Sequence, residues 1–373
     1  MITKTACLLL SLSLMIGVEG KHYKDRVAEK STRYNYDQKT QAETFKITRD
    51  TIHVNIDGRL SRALLIHGKY YCFYEVRDPW SSLPIKKFYI ISKSGKIEKE
   101  VIVPEGINQE YYYKLYFWLG RILVNTEFNK NTYYLNEEKG EFLKSGETIT
   151  VPLFEDENYR VTSSCHGEFG SKIYFKNKHA TGTYSVESGC PALVNKIGDK
   201  YFINTSNMPD NDIMEIYAPV TEKVDQASSD ILPDTVPGLA NRIIFTNNMF
   251  NSQFYIATSF VSRGILYLIY NSFHNEFGLD GKEKVIVTKD SVKIGIIKRR
   301  EFKPLYTFKD KFNTEFQQQL SPGYQICTFH TEQHTQVGFK KDSPPYREAK
   351  YGVVEITGNE IKMHYFFSNK AKS

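Results

Sequence analysis

From residue 51 onward the chain alternates between short apolar runs and turn chemistry. The run Lys69-Tyr70-Tyr71-Cys72-Phe73-Tyr74-Glu75-Val76 is followed by others at 88–91, 101–103, 122–124, 173–175 and 201–203. Later runs fall at 243–245, 265–270, 285–287 and 353–356. All are rich in β-branched or aromatic residues and bounded by Gly, Asn, Asp, Ser or Lys, the pattern of strands. Ser94-Gly95, Lys139-Gly140, Gly198-Asp199, Asp280-Gly281 and Gly358-Asn359 stand between runs. Such pairs reach the positive φ angles of tight hairpin turns. No stretch keeps a period of 3.6 over three turns; residues 313–320 are read as one brief helix. The expectation is an all-β chain of roughly two dozen strands.

A turn glycine followed by an apolar, aromatic-rich strand recurs at Gly68, Gly120, Gly170, Gly264 and Gly323, at spacings of 52, 50, 94 and 59 residues. A unit of about 50 residues holding four short strands is the size of a propeller blade, and one concealed unit brings the count to about six. One blade cannot cover both faces of its sheet, whereas a closed ring packs every sheet between two neighbours. The fold expected is a β-propeller of about six four-stranded blades; the alternative is two β-sandwich or jelly-roll domains. Residues 88–97, Phe88-Tyr89-Ile90-Ile91-Ser92-Lys93-Ser94-Gly95-Lys96-Ile97, resemble the strand–turn units of six-bladed propellers. That likeness is architectural and carries no functional residue. Residues 51–368 are assigned to this one domain, with a long loop at 219–241 that has no aromatic residue, and 369–373 form a polar tail.

The N-terminus changes the picture of where the protein acts. Residues 1–20 combine Lys4, the apolar stretch 8–16 and small residues Val18 and Gly20, the three parts of a secretory leader cleaved after Gly20. Residues 21–50 are polar and read as a flexible arm. No later window has the roughly 20 apolar residues of a spanning helix. The expectation is therefore a secreted or periplasmic protein without a membrane span. With Cys7 in the leader, Cys72, Cys165, Cys190 and Cys327 remain, an even set compatible with two disulfides. Cys165 and Cys190 form the natural local pair, and Cys72 with Cys327 would bond across the closure of a ring. Asn204-Thr205-Ser206 is an N-glycosylation acceptor.

Tyr and Phe number 26 and 24 against 2 Trp, which suits pleated surfaces. A net charge of +6 is no nucleic-acid footprint on a chain this long, and Lys298-Arg299-Arg300 is the only tight basic run. That triplet is read as a solvated strand end or loop, a processing site or a contact for acidic polysaccharide being the alternatives. Nucleophile-elbow, zinc-helix, phosphate-loop and dinucleotide motifs are absent, and no cofactor is expected.

Three constellations remain. His330, Glu332 and His334 would share one face of a strand and offer two imidazoles and a carboxylate to a metal, or else form a polar hairpin tip. Asp78, in Arg77-Asp78-Pro79-Trp80, and Glu155, in Glu155-Asp156-Glu157, are candidate acids for glycoside cleavage, with Trp80 as a sugar-stacking ring. Their plainer readings are a loop start and a solvated turn. In Tyr111-Tyr112-Tyr113-Lys114-Leu115-Tyr116-Phe117-Trp118, alternation puts Tyr112, Tyr116 and Trp118 on one face, a binding surface or a blade interface. The function expected is a secreted binding or interaction module for an extracellular protein or glycan; the alternative is a carbohydrate hydrolase with a carboxylate pair in the central funnel.

Overall fold

The computed structural model describes residues 44–76, 83–165, 171–205, 212–217, 241–246, 254–272, 291–298, 301–321, 323–331 and 350–368. Within them the chain is almost wholly strand, arranged as six sheets in a ring, a six-bladed β-propeller. Blade 1 holds β2 (Arg59–Ile66), β3 (Lys69–Val76), β4 (Ile85–Ser92) and β5 (Ile97–Val101). After the short helix α1 (Glu105–Asn108), blade 2 holds β6 (Tyr113–Trp118), β7 (Arg121–Thr126), β8 (Thr132–Asn136) and β9 (Glu141–Lys144). Blade 3 holds β10 (Phe154–Glu155), β11 (Tyr159–Cys165), β12 (Ser171–Asn177) and β13 (Thr183–Ser188). Blade 4 holds β14 (Pro191–Ile197), β15 (Lys200–Thr205), β16 (Asp212–Tyr217) and β17 (Asn241–Thr246). Blade 5 holds β18 (Phe254–Ser262), β19 (Ile265–Ser272), β20 (Ser291–Lys298) and β21 (Glu301–Thr307). Blade 6 holds β22 (Asn313–Ser321), β23 (Tyr324–Thr331), β24 (Lys350–Thr357) and β25 (Glu360–Ser368).

Every blade is a four-strand antiparallel meander, and β1 (Lys46–Val54) adds to blade 6 parallel to β25. The N-terminal strand thus closes the ring beside the last one. Lys46 pairs with Glu360 at 2.9 Å and Arg49 with Asp310 at 3.2 Å. The strand begins inside the segment 21–50 expected to be a flexible arm, because its exposed edge carries polar residues that alternation does not reveal. Residues 1–43, the expected leader among them, and the tail 369–373 lie outside the described residues.

The core sits between blades rather than at the axis. Leu64, Phe73, Phe88 and Val101 of blade 1 pack on Tyr113, Leu115, Val124 and Phe142 of blade 2. The other face of blade 1, with Ala63, Tyr70 and Cys72, packs on Ile326, Val353 and Phe366 of blade 6. Strand alternation therefore works twice in each sheet, which is why the sequence shows near-continuous apolar runs.

Two expectations change. The residues at 313–320 are strand, not helix: β22 is an innermost strand, its polar Gln317 and Gln318 face other blades, and register shifts at Thr314/Phe316 and Gln319/Ser321 break its period. Gly68, Gly120, Gly264 and Gly323 do occupy the first hairpin of blades 1, 2, 5 and 6, all at positive φ. Gly170 falls between the second and third strands of blade 3, outside the described residues, and the matching turn of blade 4 is Gly198, at φ 57°. The expected loop at 219–241 lies outside the described residues up to Asn241, which opens β17. Because β16 and β17 pair, that segment interrupts blade 4 rather than dividing two blades.

Candidate functional site

Antiparallel pairing gives the ring two rims. Each blade's first strand starts at one, here the entry rim, and ends at the hairpin rim. Several inner strands are tied to one another by amides and hydroxyls. Asn195 Nδ2 donates to Ser259 Oγ at 2.8 Å, and Thr258 Oγ1 donates to Gln317 Oε1 at 2.5 Å. Gln318 bridges blades 6 and 2: Phe117 N–H donates to its Oε1 at 3.0 Å, and its Nε2 donates to the Phe117 carbonyl at 2.9 Å. One side-chain amide thereby satisfies both main-chain groups of Phe117 on the edge of β6 away from β7.

Apolar exposure is concentrated elsewhere. Of the seven large hydrophobic side chains exposed among the described residues, Ile85, Ile102, Tyr111, Tyr112 and Phe128 all lie at the entry rim of blades 1 and 2. Tyr111, Tyr112 and Phe128 are 64%, 53% and 71% exposed. Their rings touch: Tyr111 meets Tyr112 edge-on at 4.9 Å, and Tyr112 lies 6.1 Å from Phe128 at an interplanar angle of 36°. Nearby in the chain, a pocket of about 240 Å³ is lined by Lys86, Lys87, Glu100, Val101, Ile102 and Val103.

These rings stand on a rigid base. Glu110, only 2% exposed, accepts hydrogen bonds from Phe128 N at 3.3 Å, Asn129 N at 3.1 Å and Asn129 Nδ2 at 2.5 Å. Glu127 N–H donates to the Tyr112 carbonyl at 3.0 Å. Beneath them Lys86 is buried: its Nζ donates to the Asn108 carbonyl, its N–H donates to Asn108 Oδ1, both at 2.8 Å, and its ammonium lies 5.3 Å from the Tyr113 ring centre. Burial pushes the Lys86 ammonium below its ordinary range against the opposing pull of Glu75 and Glu110. Tyr113 Oη is hydrogen-bonded to Ser61 Oγ at 2.7 Å and donates to Glu75 Oε1 at 3.2 Å; burial, aided by Glu75, raises the pKa of its hydroxyl. Ser61 and Tyr113 are sealed from solvent, so this network holds the strands and does not present a nucleophile.

The anticipated site residues are dispersed. Tyr112 belongs to the exposed ring cluster. Trp118 sits partly buried at the hairpin rim with the Arg160 guanidinium 5.4 Å from its ring centre, joining blades 2 and 3. Glu155 pairs with Lys178 at 2.7 Å. Its neighbour Asp156 is no solvated turn acid: it accepts from Asn158 N, Tyr159 N, Lys196 Nζ and Tyr201 Oη, tying blade 3 to blade 4. Asp78 and Trp80 lie outside the described residues, as do Glu332 and His334; His330 is buried at the end of β23. Among the described residues no three His, Cys, Asp or Glu side chains are grouped to hold a metal.

Cys165 and Cys190 form a disulfide, joining the end of β11 to the approach of β14. Cys72 and Cys327 are separate buried thiols rather than a bond across the closure. Blades 1 and 6 do meet, but alternation turns Ile326 toward blade 1, where Cys72 lies, and Cys327 toward blade 5. Asn204 is 2% exposed within β15. Among the described residues no helix is long and apolar enough to cross a membrane. Sequence reasoning missed Glu110, Lys86 and Phe128; the tyrosines preceding β6 were the one visible signal.

No family model and no curated protein matches the chain. Among solved structures, hydrazine synthase of Kuenenia stuttgartiensis is similar at 10% identity over 79% of this chain and 80% of that chain, with a TM-score of 0.35. The Bombyx mori GH32 beta-fructofuranosidase BmSUC1 is similar at 11% identity over 86% of this chain and 63% of that one, TM-score 0.32. The β-propeller domain of Myceliophteria thermophila Cps50 (Swd1) is similar at 9% identity over 73% and 94%, TM-score 0.30.

Proposed function

We propose that this chain is an exported binding module whose ligand-contacting face is the entry rim of blades 1 and 2. The observation that carries the reading is the cluster Tyr111, Tyr112 and Phe128, three large rings left in water, with the backbone that carries Phe128 anchored by a buried carboxylate. Aromatic rings lose little freedom on binding, and a rigid base lowers the ordering cost further, so such a cluster is a natural anchor. Covering the three rings would remove on the order of 300 Å² of apolar surface from water. Export is supported by the leader-like residues 1–20 and by the disulfide between Cys165 and Cys190.

The hydrolase reading needs two acids converging at the axis. The hydrogen bonds that link inner strands of different blades run through Asn195, Ser259, Thr258, Gln317 and Gln318, amides and hydroxyls rather than paired acids, which supports binding over acid catalysis.

The test compares the natural protein with a Tyr111→Ser, Tyr112→Ser, Phe128→Ser triple variant on arrays of glycans and of secreted and cell-surface proteins. The expected result is a ligand held by the natural protein and weakened at least about tenfold in the variant, with an unchanged melting temperature. A ligand held equally by both proteins would overturn the assignment of this face.

A further inference from the structure

We infer that the occupant of this rim is an uncharged oligosaccharide, its sugar faces laid on Tyr111, Tyr112 and Phe128. The inference rests on the binding-face reading above and adds the ligand's chemistry.

Charge is the first argument. Glu110 is buried and takes three N–H donors, Lys114 pairs with Glu127 at 2.9 Å, and Glu105 accepts from Gln109 Nε2 at 2.7 Å. Arg121 belongs to the hairpin end of blade 2, which leaves Lys130 as the only other ionic side chain of residues 109–131. Residues 109–131 of this rim therefore offer no cluster of like charge to complement an anionic polysaccharide, a nucleic acid or a strongly charged protein.

Ring geometry is the second. Tyr112 and Phe128 incline by only 36° with centres 6.1 Å apart, forming a shallow tray, and Tyr111 stands at 68° to Tyr112 as its edge. The electron-rich face of an aromatic ring attracts the weakly positive C–H bonds on the flat face of a sugar, and a tray takes successive rings of a chain. The fringe is the third argument. Asn129 commits its Nδ2 to Glu110, and Gln109 commits its Nε2 to Glu105, so both have a neutral amide oxygen available to hydroxyl donors. Neutral acceptors beside a flat apolar tray match the two sides of a sugar ring.

The experiment is calorimetric titration of the natural protein with two probe sets: short linear neutral gluco-, manno- and galacto-oligosaccharides, and uronate oligosaccharides of matched length. The expected result is binding of a neutral probe that is unchanged when salt rises from about 50 to about 500 mM, since no ion pair is made. Tyr112→Ala and Phe128→Ala should each weaken it at least about tenfold, and Tyr112→Phe less than about threefold, with melting temperatures unchanged because both positions are exposed. Failure of every neutral probe, or binding of the uronates alone, would overturn the glycan class. If an arrayed protein binds through the same rings instead, the rim survives and the sugar does not. If a neutral probe binds equally to the ring variants, the rim itself is wrong.

Discussion

Glu110→Gln isolates the device that holds the aromatic cluster. The carboxylate has one oxygen on Phe128 N and the other on both Asn129 N and Asn129 Nδ2, at 3.3, 3.1 and 2.5 Å. An amide keeps the shape but removes the charge and one acceptor, and it turns an N–H₂ donor toward a donor. Hydrogen bonds to a charged group are worth about 1.5–3 kcal/mol each when buried. Losing one and reducing two to neutral strength should cost roughly 2–4 kcal/mol, which in a ring of this size lowers the melting temperature by about 3–6 °C. Much of that loss is local. Native-state hydrogen exchange at the amides of Phe128 and Asn129 should accelerate roughly 30- to 1000-fold, with amides in β23 and β24 much less affected. Glu105→Gln is the control: that carboxylate is exposed and accepts a hydrogen bond from Gln109 Nε2, so a change within about 0.5 kcal/mol is expected. Exchange at residues 128 and 129 within threefold of the natural protein would refute the idea that Glu110 fixes the loop.

The other predictions concern the ring. Gln318→Leu leaves the N–H and carbonyl of Phe117 without the partners they have now; a loss of about 2–3 kcal/mol in denaturant unfolding is expected, and Gln318→Glu should recover only the N–H bond. His364, aided by Lys362, holds the Glu355 carboxyl below its ordinary value of 4.5. The depressed group contributes stability above that value, and the contribution is lost as pH falls through its lower folded value. Glu355→Gln should therefore flatten the stability profile below about pH 4.5 and leave the slope at neutral pH unchanged. Burial pushes the thiol of Cys327 up to about 11 and that of Cys72 higher still, so neither should react with maleimide at pH 8 until the chain unfolds. Peptide mapping after unfolding without reductant should find label on both and none on Cys165 or Cys190. Replacing that disulfide, which closes a separation of 25 residues, should cost about 3 kcal/mol.

The ring was legible because its physics is repetitive and local. Runs such as 69–76 and 265–270 declare strands buried on both faces, and the positive-φ glycines Gly68, Gly120, Gly264 and Gly323 mark the same hairpin in four blades. A glycine count could not separate the first hairpin of a blade from the loop after its second strand, so Gly170 looked equivalent when Gly198 was. β22 escaped because an innermost strand trades apolar alternation for side chains that bond across the ring, and Gln317 and Gln318 read as helix-compatible polar residues. The direction of Cys327 was likewise a matter of parity within a sheet: a one-residue offset from Ile326 sends the thiol away from the closure.

What the amino-acid order determined on its own was therefore the strand content, the blade size and the pairing of Cys165 with Cys190. The exposed aromatic cluster was decided only by tertiary structure. Glu110 and Phe128 are 18 residues apart and meet because the hairpin of β6 and β7 returns the chain to the rim it left. Whether a tyrosine is core or exposed was settled the same way: Tyr113 enters the sheet and is buried against blade 1, while Tyr111 and Tyr112, one turn of chain earlier, stay in water. Periodicity reports which residues share a face. Only closure of the ring says which faces find a neighbour.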